Sequence, residues 1–309
     1  MTEGAAHNCK AAKEPKVKAT PPRSAIKISH RDRVMFPESK ATKGDLTDYY
    51  LELAPLILPH MAWRPLSLVR CPQGRAKKCF FQKHDSGSFG EHVHHVPIRE
   101  KDGGHEDYLY VDSADGILAC VQMGTIEFHG WGSHVETLEQ PDRMVFDLDP
   151  DEALDFAQVR KAALYLRGLL SGMGLVSFAM LSGGKGVHIV VPLRPGHDWD
   201  THKDFSRRLA EAMGQAEPEL LVANMSKAKR KGRIFIDYLR NQRGSTAIMP
   251  YSARAREGAP VAVPVTWDEL ADIEKANAWN IADAKELIER GSSAALKGWG
   301  FAEQDLPPF

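Results

Sequence analysis

Cysteine is scarce in this chain. There are four (Cys9, Cys71, Cys79 and Cys120), and no two form a CxxC pair, which removes the usual paired-cysteine metal and redox motifs. No secretory signal opens the sequence, so the thiols are expected to be reduced, as in a cytosolic protein. No run approaches the roughly 18 consecutive apolar residues of a membrane-spanning helix, and the chain reads as soluble and intracellular. Charge of one sign is lacking too: the formal net charge is −1, so any attraction to nucleic acid must come from local clusters. The glycine-rich turn at Ser182–Gly186 lacks the GxxxxGK[ST] pattern and is no Walker A loop. No internal repeat is present. What remains is 309 residues, 43% hydrophobic and 26% charged, enough for one large globular domain or two coupled ones.

Residues 1–25 are rich in Ala, Lys and Pro and read as a basic linker or tail, as in one module of a longer polypeptide. Residues 26–140 are expected to form a β-rich subdomain, 141–264 a catalytic core, 265–300 C-terminal helices and 301–309 a tail. Helical spacing predicts a helix over Asp45–Ile57, with Asp45 as its N-cap. A β-rich stretch runs from Leu66 to Phe128, a strand ends at MVFDLDP, and a helix covers Asp151–Met173. Two hairpin-like strands, Val176–Leu181 and Val187–Leu193, flank SGGKG. A helix over His202–Gly214, a strand over Arg233–Leu239 and a mainly helical Trp267–Arg290 follow. Helices alternating with strands argue for an α/β or α+β domain.

The chemistry concentrates in MVFDLDP. In an extended strand Asp147 and Asp149 leave the same face, and two such carboxylates repel unless a proton, a cationic side chain or a divalent metal lies between them. Hard oxygen donors favour Mg²⁺ or Mn²⁺. A surface turn before Pro150 is the plainer alternative. Asp237, in the apolar strand RIFIDYLRN, adds a third acid, which either pairs with Arg240 or Arg233 or completes a three-carboxylate site for two divalent ions. In the turn Ser182-Gly183-Gly184-Lys185-Gly186, with His188 just beyond, backbone N–H groups, a hydroxyl and cationic side chains can meet an anion. An ordinary glycine turn and a buried histidine are the competing readings. Arg254 and Arg256 alternate and so share a face in an extended segment, which suits bidentate binding of a triphosphate; a solvated basic loop is the alternative. Between Lys227 and Arg243 lie five further cations against Asp237 alone, a pattern fit for tracking a phosphate backbone. Phe80 and Phe81 can stack on a base, although for at least one of them the core is the stronger expectation. His92, His94, His95 and His105 fit no common zinc spacing and read as a solvated loop.

The ordered segments VMFPESKATKGDLTDYY, FFQKH, IEFHGWGS, MVFDLDP, LSGGKGVHIVVPL and IFIDYLRNQRGSTAIMPYSARAREGAPVAVPVTWDEL resemble the polymerase domain of bacterial DNA ligase D, in the archaeo-eukaryotic primase superfamily. The likeness runs from about Ile26 to Trp299. It implies an RRM-like catalytic α/β core joined to a second β-rich subdomain, with the active site in the cleft between them. It implies that Asp147, Asp149 and Asp237 are catalytic metal ligands, and that Ser182, His188, Arg254 and Arg256, with Lys185 beside them, hold a nucleoside triphosphate. Phe80 and Phe81 match aromatic positions near the template base. A pocket for a downstream 5′-phosphate, built in the family from an Asn-x-x-Lys pair and a later Lys, here reads His30, Arg33 and Lys43. The implied role is gap filling and 3′-end extension in non-homologous end joining at the bacterial nucleoid. Ribonucleotides and Mn²⁺ would be preferred, Ku would recruit the domain, and ligase and phosphoesterase modules would act in cis or trans. Two other readings of the same residues are a metal-dependent nuclease and a non-catalytic 5′-phosphate DNA-end module.

Overall fold

Alternation along Arg143–Pro150 sends Met144, Phe146 and Leu148 to one face and Asp147 and Asp149 to the other. In the computed structural model of the chain those three apolar side chains are wholly buried, and the two acids face a cleft. The structure describes residues 24–308 apart from 86 and 101. Residues 1–23 of the expected tail, and Cys9 with them, lie outside the described residues.

In chain order, β1 (Val34–Phe36) and β2 (Ala41–Thr42) form a small ribbon leading into α1 (Lys43–Met61). Then come β3 (Leu66–Arg70), β4 (Phe80–Gln82), β5 (His94–Arg99), β6 (His105–Tyr110), α2 (Ala114–Gln122) and β7 (Thr125–Gly130). The second half holds β8 (Arg143–Pro150), α3 (Phe156–Gly172), β9 (Phe178–Leu181), β10 (Val187–Pro192), α4 (Trp199–Ala216), β11 (Leu221–Val222) and β12 (Ile234–Asp237). It closes with β13 (Ala247–Ile248), β14 (Val263–Val265), α5 (Trp267–Asp272) and α6 (Ala284–Gly291).

Two six-stranded sheets carry the architecture. One has the order β13-β7-β3-β6-β5, with β4 paired to β3; the other runs β11-β12-β8-β10-β9-β14. Within the second, β11 and β12 are parallel and the remaining pairs antiparallel, including the expected β9–β10 hairpin. β13 falls within residues 141–264 yet pairs with β7 of the first sheet, so the chain crosses back between the sheets. One continuous apolar cluster joins them, from Tyr50 and Phe128 to Phe146 and Ile189.

α3 shows why a helix forms and where it stops. Asp155 accepts from the Gln158 backbone and Gln158 returns the bond, a reciprocal cap that starts the helix five residues later than expected. Val159, Ala162, Ala163, Leu166 and Leu170 form its buried stripe. It ends at Gly172, and Gly174 just beyond the cap, with φ of +78°, lets Leu175 N–H return to the Leu170 carbonyl. In α1 the expected cap moves: Thr42 is the N-cap, and Asp45 is the acid three residues in that bonds back to it. The β-rich stretch Leu66–Phe128 carries β3 to β7, and it also holds an unexpected helix, α2, capped by Ser113 and burying Ile117, Leu118, Cys120 and Val121. The five-residue apolar run Ile117–Val121 cannot be told from a strand by periodicity alone. The expectation of reduced thiols is corrected as well. Cys71 and Cys79 form a disulfide across the β3–β4 loop, with Cα atoms 4.3 Å apart, and Cys120 is free and buried. Sequence separation gave no hint, since it is the antiparallel β3–β4 pairing that brings the two together.

Among the described residues no helix is long and apolar enough to cross a membrane. Two buried histidines give the fold a pH response. Burial holds His60 down at about 3 and His202 at about 4, and neither ring nitrogen of His202 has a hydrogen-bond partner. With folded values below the ordinary 6.5, the unfolded chain takes up the protons first as pH falls. Stability is therefore full above pH 6.5 and declines toward pH 4. Thermal melts at pH 7 and pH 5 should differ by about 2 kcal/mol per histidine. His202→Met should flatten that slope; an unchanged slope would contradict the assignment.

Candidate active site

β8 is the central strand of its neighbourhood, with β10 on one side and β12 on the other. The register places His188 opposite Asp147 across one pairing and Asp237 opposite Asp147 across the other. Three chemically active side chains thus share one row of the sheet, with Asp149 two residues further along the same face. His188 Nε2 lies 3.3 Å from Asp147 Oδ1. Arg240 stands between the acids, its Nη2 3.1 Å from Asp147 and 3.2 Å from Asp237. The ion-pair reading of Asp237 is therefore realised, with Arg240 rather than Arg233. Burial alone would raise the Asp147 carboxyl, but His188 and then Arg240 outweigh it and hold it well below the usual carboxylate range. Asp149 is pushed up, by burial and then by Asp147. Asp237 is also pushed up, by burial first, with Arg240 opposing and Asp147 adding. Among the described residues no three His, Cys, Asp or Glu are drawn together as a closed ligand set. The donors themselves, three carboxylates on one sheet face with their mutual repulsion only partly met by one guanidinium, fit a hard divalent cation.

The turn after β9 faces this row. Ser182 Oγ accepts the N–H groups of Gly184 and Gly186, each at 3.2 Å, which folds the turn tightly and leaves the hydroxyl proton available to donate. Gly183 has φ +66°, and a Cβ there would lie 2.7 Å from the Val261 backbone. At Gly186 a Cβ would come within 2.1 Å of the Leu148 carbonyl, between the two strand acids. Arg254 donates through Nη1 to the Ser182 carbonyl at 2.5 Å and through Nε to Glu127 at 3.2 Å. Arg256 is exposed at the cleft, its guanidinium beside Gly184. Together these groups line one cleft of about 560 Å³, with Asp147 and Asp149 at one wall and Ser182, Arg254 and Arg256 at another.

The sequence and the fold both recur in known proteins. The sequence matches the LigD primase-polymerase domain over residues 42–294. The chain belongs to that family. It is 40% identical over 267 residues to the multifunctional non-homologous end joining protein LigD of Pseudomonas aeruginosa, covering 86% of this chain and 32% of that protein. It is 31% identical over 246 residues to the bifunctional LigD of Bacillus subtilis, covering 79% and 39%. The chain thus spans about a third of the length of these relatives. The polymerase domain of Mycobacterium tuberculosis ligase D, solved in complex with DNA, superposes with a TM-score of 0.80 at 30% identity, covering 87% of this chain and 96% of that one. The fold is accordingly mixed α/β and archaeo-eukaryotic primase-like, and LigD primase-polymerase domains are nucleotidyltransferases.

The remaining residues read from the sequence fall in three places. Lys185 edges the cleft and pairs with Glu152 at 2.5 Å. Phe80 and Phe81 are both exposed on β4, at 40% and 49%, so the core expectation for one of them is corrected: β4 flanks the sheet and leaves both rings outside it. Phe80 lies under the Arg70 guanidinium, and Phe81 meets His129 edge-on at 5.7 Å, at the cleft wall. The β1–β2 ribbon gathers His30, Arg33 and Lys43. His30, exposed, holds φ +52°, and Arg33 donates to the Pro72 carbonyl at 2.6 Å. Lys43 is buried, its ammonium donating to Ser29 O, Gln122 O and Gln122 Oε1; burial and then the Arg33 charge bring it down to about 8. Its charge is spent inside the protein. His92, His94 and His95 each face their own carboxylate, Glu91, Asp112 and Asp85. Sequence reasoning missed Glu127 and His129. The alternation of IEFHG was the available signal, since it sets two polar residues on one face of a buried strand.

Proposed function

We propose that the chain is a polymerase module that adds nucleotides to DNA 3′ ends and fills gaps during non-homologous end joining. The observation that carries this reading is one cleft lined by both sets, Asp147, Asp149 and His188 together with Ser182, Arg254 and Arg256, with Asp237 paired to Asp147 on the adjoining strand. Acids alone would serve a nuclease; a cationic wall opposite them suits a triphosphate. Asp147, Asp149 and Asp237 would hold two divalent ions, Mn²⁺ or Mg²⁺, which when bound supply activation of the 3′-hydroxyl and charge neutralisation on the phosphates. Arg254 and Arg256 orient the triphosphate, the Ser182 hydroxyl donates to it, and His188 steadies Asp147. Asp237 is the carboxylate assigned to the 3′-hydroxyl side. Arg240, which bridges Asp147 and Asp237 and lines the cleft, would add positive charge for the phosphates once cations hold the acids. Phe81 and Phe80 offer stacking faces to the template. His30 and Arg33 take the downstream 5′-phosphate, with Lys43 pinning the loop beneath them. Ribonucleotides are the preferred substrate in this reading, Ku the recruiting partner, and ligase and phosphoesterase modules the neighbours.

Extension of a gapped duplex tests the proposal, comparing ribo- with deoxynucleotides, Mn²⁺ with Mg²⁺, and a downstream strand with and without its 5′-phosphate. Metal-dependent addition of one or a few nucleotides, stimulated by the 5′-phosphate, is expected. Shortening of the primer without addition would replace the reading with the nuclease one.

A further inference from the structure

The polar face of β7 carries a carboxylate that no part of the reaction above requires. Glu127 is 6% exposed, and its oxygens are fully engaged. Oε1 accepts the Ala255 backbone N–H at 2.7 Å. Oε2 accepts His129 Nε2–H at 2.8 Å and Arg254 Nε–H at 3.2 Å. A buried carboxylate without such donors would be costly, and the same low-dielectric setting makes each of these bonds strong. Burial would raise the Glu127 carboxyl, yet His129 and Arg254 bring it down to about 2, so it stays ionised.

Its position matters as much as its bonds. Glu127 pairs with Val69, and Val69 with Phe81, so Phe81, Val69 and Glu127 lie in one row across the first sheet. Two residues along β7, His129 lies on the same face and meets Phe81. Arg254 and Ala255 belong to the connection between β13 of the first sheet and β14 of the second. Glu127 therefore ties the wall that carries the exposed aromatics to the wall that carries the cationic clamp. With Nε held by Glu127 and Nη1 by the Ser182 carbonyl, the Arg254 guanidinium has one orientation, and Nη2 is left for a ligand. Glu127 as acceptor also fixes the His129 tautomer, with the proton on Nε2 and, in the neutral ring, a bare Nδ1.

We propose that Glu127 is a positioning residue, acting through Arg254 and His129 to set the triphosphate-binding wall of the cleft against the template-side wall. This rests on the triphosphate reading of Arg254 given above.

A double-mutant cycle on nucleotide binding tests it. ATP with Mn²⁺ is titrated into the whole chain without DNA, and gapped-duplex extension is measured alongside. Glu127→Gln removes one charge at constant size and should weaken Mn·ATP binding roughly 10- to 100-fold, the range expected for charge-assisted hydrogen bonds. The nucleotide KM should rise by a similar factor with kcat nearly unchanged, while the melting temperature falls by several degrees, because it is the ionised carboxylate that its buried partners stabilise. Added to Arg254→Ala, the Glu127→Gln change should cost no more than about 2-fold further, because the two act as one unit. Glu127→Asp, which keeps the charge, should restore part of the binding, and is the variant to read if Glu127→Gln does not fold. Binding by Glu127→Gln within about 2-fold of wild type, or losses that multiply in the double variant, would overturn the proposal. Coupled binding in a wild-type chain that never extends a primer would overturn the polymerase reading and leave the role of Glu127 standing. A wild-type chain that binds no ATP would overturn both.

Discussion

Asp149→Asn should remove nucleotide addition, by about 10³-fold or more, without lowering thermal stability. The two halves of this expectation have separate causes. Asp149 sits near the end of β8 with its side chain open to the cleft, and partial desolvation by the cleft walls and then the Asp147 charge raise its carboxyl. Its charge opposes folding in the absence of a cation, so the neutral amide relieves repulsion and the melting temperature should hold or rise. Catalysis needs that same charge, because a site for two divalent ions loses an anionic donor that an amide does not replace. Asp147→Asn is the contrasting case. Asp147 neutralises Arg240 and receives His188, so its loss should cost both activity and stability. Primer extension and calorimetry on the two variants check the pair. A residual extension rate above about a tenth of wild type for Asp149→Asn would remove Asp149 from the ligand set.

Gly186→Ala should be the most damaging alanine substitution among the described glycines. The added carbon would lie 2.1 Å from the Leu148 carbonyl oxygen and 3.1 Å from its carbon, both backbone atoms of the strand between Asp147 and Asp149. No side chain can turn aside to relieve this contact; the turn or the strand must move. Overpacking of this kind costs about 1–3 kcal/mol, and a shift of about 1 Å at either wall is enough to lose about 10²-fold in rate. Both effects are expected together, in a thermal melt and an extension assay. Gly196→Ala is the control, since nothing lies within 4 Å of a Cβ there and it should match wild type. Wild-type stability in Gly186→Ala would mean that the turn is looser than its packing indicates.

Much of the site could be read from local pattern. The Asp147–Asp149 alternation, the glycines of SGGKG and the Arg254–Arg256 spacing are short-range features, set by strand period and turn chemistry. The ends of α1, the helix inside the β-rich stretch and the exposure of Phe80 and Phe81 were not readable in this way. Each depends on which surface a segment finds to pack against, and a short apolar run carries no record of that. The pairing of Cys71 with Cys79 and the burial of the Lys43 ammonium have the same origin.

By itself, then, the sequence determined the alternating strands, the acids and cations they carry, the glycine turn and the ordered motifs of a LigD primase-polymerase domain. Only the tertiary structure decided that His188 and Asp237 flank Asp147 in one row, that Arg240 stands between the acids, and that Glu127 joins the two walls of the cleft. The physical reason is that register and cross-sheet contact are long-range quantities. Side-chain period fixes which face a residue occupies, whereas its neighbour across the sheet is chosen by strand order and the collapse of a shared core.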